Sequence, residues 1–474
     1  MPIELAVTTF DKRADIAALG TRIGPSLRGK VTSAAQAATL IRGARIIALG
    51  SFGPNGGPKE VPRALVRQNC AKYDIVAGAS SGLDDVLANN MLSRAPFQSD
   101  AAVRKKINSG EIKFVEYHLA QMTRQMQYIQ QTIDVAIVEA SSITLGCGIV
   151  PTTSVGDYAE FLHMADRIVV EINIAQPIWL LGMHDFSSPK EAFDSRTRTS
   201  VHVDPRKIIA IVLTNVADNP RPAAAPKSPA IGAHVTAFLE REVRLGRLTL
   251  GLKPLEIGVG ATTDSVGQAF LKSSFEKLTM WAEVLPDSTL DLMDAGKLIS
   301  ASGSGLYLSA EYAMRFRANP DYRRRIKLRP LSVSNHAGII RDLDVISING
   351  AIEASIYGEI NSSQVGSNMM SGIGGSGEFA RNALIAIFVL ESTAKHGSIS
   401  TITPTIDHVD HIGPDVDVLV TEQGYADLRG LSPRERATVI IECCVDEKKK
   451  PELKAAFAKA KQIGGYAPRQ QRVA

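Results

Sequence analysis

Six short apolar runs recur through the first half of this chain: RIIALGSF (45–52), YDIVAGA (73–79), IKFVEYHL (112–119), DVAIVEA (134–140), RIVVEINI (167–174) and KIIAIVLTNV (207–216). They are mostly continuous rather than alternating, so a strand built from one has to be covered on both faces. Parallel sheets layered by helices meet that condition, and AAQAATLIRG reads as an intervening helix. Residues 218–229, DNPRPAAAPKSP, then place four prolines in twelve residues without periodicity and read as a linker. Beyond it AHVTAFLEREVRLGRL is an amphipathic helix, and strands resume in LEIGVG, KLTMWAEVL, VISINGAIEASIYGEI, SISTITPTI and DVDVLVTEQG. The expectation is an α/β protein of two similar domains with mostly parallel sheets. They span 1–217 and 230–445, joined by the linker 218–229 and followed by a charged helix and tail over 446–474.

Composition narrows the function classes. A net charge of +4 and 5% aromatic residues argue against a nucleic-acid partner. RRRIKLR (323–329) lacks interleaved aromatics and reads as a solvated face, with contact to a phosphorylated cofactor left open. The longest apolar run, 383–390, is far short of a bilayer span, so no membrane partner is expected. Four cysteines (Cys70, Cys147, Cys443, Cys444) without CxxC spacing, and no signal-like start, suggest a reduced, cytoplasmic location. Cys147, in LGCGIV, reads as a small filler near a turn.

The densest chemical signal is the run 349–382, NGAIEASIYGEINSSQVGSNMMSGIGGSGEFARN. Its glycines bare backbone N–H groups that serve either a nucleotide phosphate or the oxyanion of acyl chemistry. GIGGSG (372–377) satisfies G-x-G-x-x-G, with Glu391 as the distal acid, the pattern of an NAD-dependent oxidoreductase. Two features oppose that reading: no buried strand precedes the motif, and the interval from Gly377 to Glu391 looks too short for both a helix and a strand. DHVDH (407–411) could lie on a helix face but sits among prolines, so turn polarity is favoured over metal, and no metal is expected. Glu139, Glu171, Glu283 and Glu422 interrupt apolar strands, and each must be paired, hydrogen-bonded or protonated. Glu283 lies near a strand end, where α/β sites gather. No GxSxG elbow is present.

Several motifs occur in order over nearly the whole chain: RAPFQSDAAVRKKIN (94–108), LKPLEIGVG (252–260), MWAEVLPDSTLDLMDAGK (280–297), LSVSNHAGIIRDL (331–343), the run 349–382, HVDH (408–411) and VTEQGYADLRGLSPRERA (420–437). Together they resemble the acetyl-CoA hydrolase/transferase family of class I CoA-transferases. The resemblance implies a CoA-transferase-type fold in both domains and exchange of coenzyme A between a short-chain acyl-CoA (acetyl, propionyl or succinyl) and a carboxylate. It implies Glu283 as nucleophile, the amides of Val259 and Gly375 as oxyanion donors, and Asn335 and Glu422 as orienting groups. Gly258, Gly260, Asn349, Gly372, Gly374, Gly377, Gly50 and Ser51 would shape the acyl and CoA sites. No permanent cofactor is expected, the CoA thioester being substrate, and a homodimer is the family-based expectation. Two positions depart from the family pattern: Gly50 and Ser51 where a hydroxyl residue normally comes first, and Gln364 in NSSQV where histidine is usual. Hydrolysis of the thioester on the same scaffold, or a noncatalytic CoA-binding subunit, are the alternatives.

Overall fold

The computed structural model describes residues 10–69, 71–79, 86–187, 198–218 and 228–467. Cys70 and most of the expected linker fall outside that range. The chain divides into two compact units, Met1–Val115 with Met122–Asn219 and Glu116–Gln121 with Pro220–Ala474. The short Glu116–Gln121 segment thus belongs to the second unit although its sequence neighbours belong to the first.

The first unit is built on β1 (Ile46–Gly50), β2 (Tyr73–Ala77), β3 (Met91–Pro96), β4 (Lys113–Phe114), β5 (Ile133–Ala140), β6 (Ala165–Asn173) and β7 (Ile208–Thr214), in the order β7-β6-β5-β1-β2-β3-β4. Every pairing is parallel. Helices α1 (Ala34–Leu40) and α2 (Glu60–Gln68) bury Ala37, Ala38, Val61 and Leu65 against Ile47, Leu49, Ile75 and Ile137 of the sheet. All six runs contribute a strand to this sheet, five of them over most of their length. IKFVEYHL gives only the two residues of β4: after Val115 donates to the Arg94 carbonyl the chain leaves the sheet and enters a 3₁₀ turn at Leu119–Gln121. β3 was hidden by Arg94, which is fully buried and donates to the carbonyls of Ala77 and Gly78 at the end of β2. A charge at a core position defeats a hydrophobic-run criterion.

The second sheet contains β8 (Leu255–Ile257), β9 (Leu278–Trp281), β10 (Leu298–Gly303), β11 (Ile326–Leu328), β12 (Ile346–Gly350), β13 (Ile385–Val389), β14 (Val418–Val420) and β15 (Tyr425–Asp427). Its order is β11-β10-β9-β8-β12-β13-β14-β15, all parallel except the last pair. The two sheets share one plan. Each begins in its middle (β1 or β8), adds the next three strands outward on one side, then returns and adds the rest on the other, three in the first sheet and four in the second. The return creates a switch point, between β1 and β5 in one unit and between β8 and β12 in the other. Ligands of open parallel sheets bind at the carboxyl ends of strands flanking such a point. Helix α3 (Pro229–Arg244) packs on α4 (Ala261–Lys272), which follows β8, while α7 (Pro433–Cys444) and α8 (Lys450–Ile463) close the core around Phe388, Leu419 and Phe457.

Two expected strands are broken. KLTMWAEVL ends its sheet pairing at Trp281 and resumes at Val284–Pro286, which pairs instead with Gly305–Tyr307. VISINGAIEASIYGEI leaves the main sheet after Gly350, and Glu353–Ser355 joins a small sheet with Ile360–Asn361 and Ile402–Thr403. No helix among the described residues is long and apolar enough to cross a membrane.

Candidate active site

Glu283 occupies the break between β9 and Val284–Pro286, at the carboxyl edge of the second sheet. Its backbone is fixed on both sides: Ala282 N–H donates to Ser302 O (2.9 Å) and Ser304 N–H to Glu283 O (2.7 Å). Trp281 Nε1 donates to Ser334 O (2.8 Å), tying the end of β9 to helix α5 (Leu331–Ser334), whose C-cap is Asn335. Ser334 Oγ donates to Asn335 Oδ1 (2.9 Å), so the amide nitrogen is turned to Glu283, where Nδ2 donates to Oε2 (2.7 Å). The Gly375 N–H, at the start of helix α6 (Ser376–Asn382), donates to the same carboxylate. A Cβ at Gly375 would lie 1.7 Å from Glu283 Oε2, so only glycine permits this approach.

The residue keeps a partly open face, yet protein surrounds the carboxylate, and desolvation pushes its pKa up to about 7 against the opposing bonds from Asn335 and Gly375. The group is therefore divided between its two protonation states near neutrality. Sequence reasoning missed two carboxylates beside it. Glu256 on β8 accepts from Ser347 Oγ and Asn349 Nδ2 (2.8 Å each), and burial, with the Glu283 charge, raises it to about 8. Glu378 on α6 is raised to about 8 by burial and then by Glu283. Neither departs from its neighbours in pattern, since one sits in an apolar strand and the other in a helical turn. Their only sequence signal is charge at an apolar position, shared with Glu139 and Glu171.

The expected residues divide into those brought together and those kept apart. Glu283, Asn335 and Gly375 form one hydrogen-bonded cluster. Gly258, Val259 and Gly260 make the turn after β8, beside β9, with Gly258 N–H on Ile348 O (2.9 Å) and Val259 39% exposed. Gly260 at φ +144° takes a conformation that favours glycine. Asn349 closes on this turn, for a Cβ at Gly258 would be 2.8 Å from its Oδ1. Gly372 and Gly374 carry the chain into α6, and Gly377 lies under His118, whose Nδ1 would be 2.9 Å from an added Cβ. Glu422, after β14, does not join the cluster. It accepts from the Ser392 N–H (2.8 Å), from Ser392 Oγ and from Gln423 Nε2, which hold its pKa down despite partial burial. Gly50 and Ser51 lie in the first unit, at the end of β1. Gly50 is wedged against Val138 and Tyr158, and Ser51 Oγ is buried without a hydrogen-bond partner.

The interval before Glu391 is long enough for the helix and strand of a dinucleotide site. Helix α6 opens at Ser376, one residue before Gly377, and its seven residues and the five of β13 are complete before Glu391. What opposes that reading is occupancy: the Gly375 N–H serves Glu283 and Gly377 is covered by His118, so this turn has little backbone free for a pyrophosphate. Around DHVDH, Asp410 accepts from Ser362 N–H (2.6 Å) and Ser363 Oγ (2.8 Å), and His411 is buried against Ser376 and Phe388. No metal-binding group of His, Cys, Asp or Glu occurs among the described residues. In RRRIKLR, Arg325 donates to Met293 O (2.9 Å) and Arg329 donates to Ser302 Oγ and stacks on Trp281 at 5.2 Å, so both are structural rather than merely solvated. A cavity of about 740 Å³ between α3, α4 and the following helices shares no residue with the Glu283 cluster. Glu240, Asp264, Asp287 and Glu311 line it against Lys272 alone, a poor match to an anionic cofactor.

The chain matches two family models, the acetyl-CoA hydrolase/transferase N-terminal domain over residues 26–213 and the corresponding C-terminal domain over 313–457. It is 42% identical to a succinyl-CoA:acetate CoA-transferase of Clostridium kluyveri, over 93% of this chain and 87% of that protein. It is 36% identical to an acetyl-CoA hydrolase of Kluyveromyces lactis, over 91% and 89%. In fold it is similar to the crystal structure of RipA from Yersinia pestis, with a TM-score of 0.74 at 21% identity over 96% of this chain and all of that one. Both halves thus match one family in order, and its relatives carry enzyme activities: the chain belongs to the acetyl-CoA hydrolase/transferase family.

Proposed function

We propose that this enzyme transfers coenzyme A between a short-chain acyl-CoA (acetyl, propionyl or succinyl) and a carboxylate, with Glu283 as the covalent nucleophile. The observation that carries the reading is the Gly375–Glu283–Asn335 cluster, in which two fixed donors converge on a carboxylate with a partly open face. An ionised Glu283 oxygen adds to the thioester carbonyl and CoA leaves as thiolate, giving an acyl-glutamyl anhydride. The thiolate then adds to the glutamyl carbonyl and releases the first carboxylate, leaving a glutamyl-CoA thioester. A second carboxylate reverses both steps. No proton is gained or lost in the cycle, so the exchange needs charge stabilisation rather than a base.

Each addition creates an oxyanion. The Asn335 amide and Gly375 N–H already sit on the Glu283 carboxyl group and need no reorganisation when negative charge develops there; one such donor contributes about 3–4 kcal/mol to the barrier. The Val259 amide, in the turn beside β9, serves the acyl carbonyl on this reading. Glu422 orients the carboxylate substrate only after some movement, because its present partners are Ser392 and Gln423. Gly50 and Ser51 shape acyl specificity, and the enzyme works as a cytoplasmic homodimer without a bound cofactor.

Hydrolysis is the second reading, supported by the open face of Glu283 and the similarity to acetyl-CoA hydrolases. It differs by water reaching the intermediate. CoA release from acetyl-CoA, measured with and without succinate, separates the two. Transfer predicts that succinate raises turnover and that succinyl-CoA forms. Unchanged CoA release with no succinyl-CoA would leave hydrolysis.

A further inference from the structure

Glu378 is 6% exposed, and its two oxygens are treated differently. Oε1 accepts the Ala120 N–H at 3.0 Å, a bond supplied by the Glu116–Gln121 segment. Oε2 is buried with no hydrogen-bond partner. The residue sits one helical turn beyond Gly375, shares the Asn335 amide with Glu283, and feels the Glu283 charge more than any other. The ionisable groups around α6 do not neutralise it. Arg381 pairs with Asp415 (3.2 Å) and Arg341 bonds Asn382 (2.7 Å), while burial holds both His118 and His411 below the usual histidine range and so neutral. Leaving an ionised carboxylate in such a place costs several kcal/mol, whereas a neutral carboxylic acid there costs little. Because Oε1 is already an acceptor, the proton belongs on Oε2, which then becomes a buried donor in need of an acceptor.

We propose that Glu378 acts as a neutral carboxylic acid whose Oε2–H joins Asn335 and Gly375 in stabilising negative charge on the Glu283 carboxyl group, first as carboxylate and then as tetrahedral oxyanion. This rests on Glu283 being the nucleophile. The active form is then Glu283 ionised with Glu378 protonated, and it disappears at high pH when Glu378 also ionises, through repulsion between two carboxylates sharing one amide. The profile of kcat/KM against pH is therefore bell-shaped, with its basic limb belonging to Glu378.

The test compares pH profiles of acetyl-CoA-dependent CoA transfer for the parent enzyme, Glu378→Gln and Glu378→Ala, with borohydride trapping of Glu283 as control. Glutamine keeps an acceptor for Ala120 and a neutral donor in place of Oε2–H. It should lose no more than about tenfold in kcat at pH 7 and abolish the basic limb, while alanine loses about a hundredfold in kcat with KM little changed. A basic limb that persists unshifted in Glu378→Gln overturns the proposal, and this variant decides even if Glu378→Ala does not fold. Trapping at a carboxylate other than Glu283 in the parent would instead overturn the underlying nucleophile assignment.

Discussion

The two switch points of this protein follow the same strand plan and bury carboxylates at corresponding edges, yet the first sets a buried lysine among them and the second, among the described residues, sets none. In the first unit Glu139, Asp218 and Glu171 are matched almost donor for acceptor. Lys59 pairs with Glu139 and with Asp218 (3.0 Å), Thr152 and Asn173 donate to Glu139 at 2.8 and 2.9 Å, and Gly56 N–H and Gln176 serve Asp218. Glu171 accepts three consecutive backbone N–H groups, of Lys59, Glu60 and Val61, at the start of α2. Burial raises Glu139, to about 7, and Glu171 as well, whereas Lys59 and its other donors hold Asp218 below the ordinary carboxylate range, and Lys59 is held protonated. In the second unit Glu283, Glu256 and Glu378 meet only neutral donors, and all three are raised by burial. A compensated cluster holds a fold together. An uncompensated one stores free energy in its ionised form, and reactive carboxylates are found in such settings.

Substitutions should therefore affect activity in the second unit and stability in the first. The largest expected effect is Glu283→Ala, which should remove roughly ten-thousandfold of transfer activity while thermal unfolding stays near that of the parent. Gly375→Ala comes next: its methyl group would displace the Glu283 carboxylate, and a loss of about a thousandfold in kcat is expected in steady-state assays. Lys59→Met should do the reverse. It leaves Glu139 and Asp218 without their cation and should cost about 3–5 kcal/mol in urea unfolding, with less than tenfold change in kcat per folded molecule. If Lys59→Met abolished turnover without destabilising the fold, the contrast between the units would fail.

The smallest effect concerns pH. Glu256 has a folded-state pKa near 8 against 4.5 when exposed, so it is protonated in both states below pH 4.5. As pH rises from 4.5 to 8 the unfolded chain releases its proton first, and stability falls across that window. Glu256→Gln should flatten this decline, gaining about 1–2 kcal/mol relative to the parent between pH 5 and 8 in denaturation midpoints. A parallel decline in both proteins would show that Glu256 is not buried as a neutral acid.

Much of this was legible in the residues. Continuous apolar runs give most of the strands because strands covered on both faces need no alternation, and Glu283 stands where a strand pattern meets a small turn motif. Other features were not legible for physical reasons. Arg94 lies in the core because two carbonyls at the end of β2 need its donors, which no local pattern records. Beside the break at Glu283, Gly303 leaves no room for a side chain, since a Cβ there would come within 2.9 Å of Leu285. Glu378 is defined by a bond from Ala120, 258 residues away in sequence, and by having no ion-pair partner among the described residues. Long-range complementarity of this kind leaves no periodic trace.

The most direct test of the central claim is covalent trapping. The enzyme is incubated with acetyl-CoA, reduced with borohydride and digested, and the peptides are weighed. The account predicts that Glu283 and no other carboxylate is recovered as the primary alcohol left when borohydride reduces its thioester and releases CoA, in an amount that falls when succinate discharges the intermediate. An enzyme that turns over acetyl-CoA yet yields an unmodified Glu283 peptide, or one modified elsewhere, would contradict it.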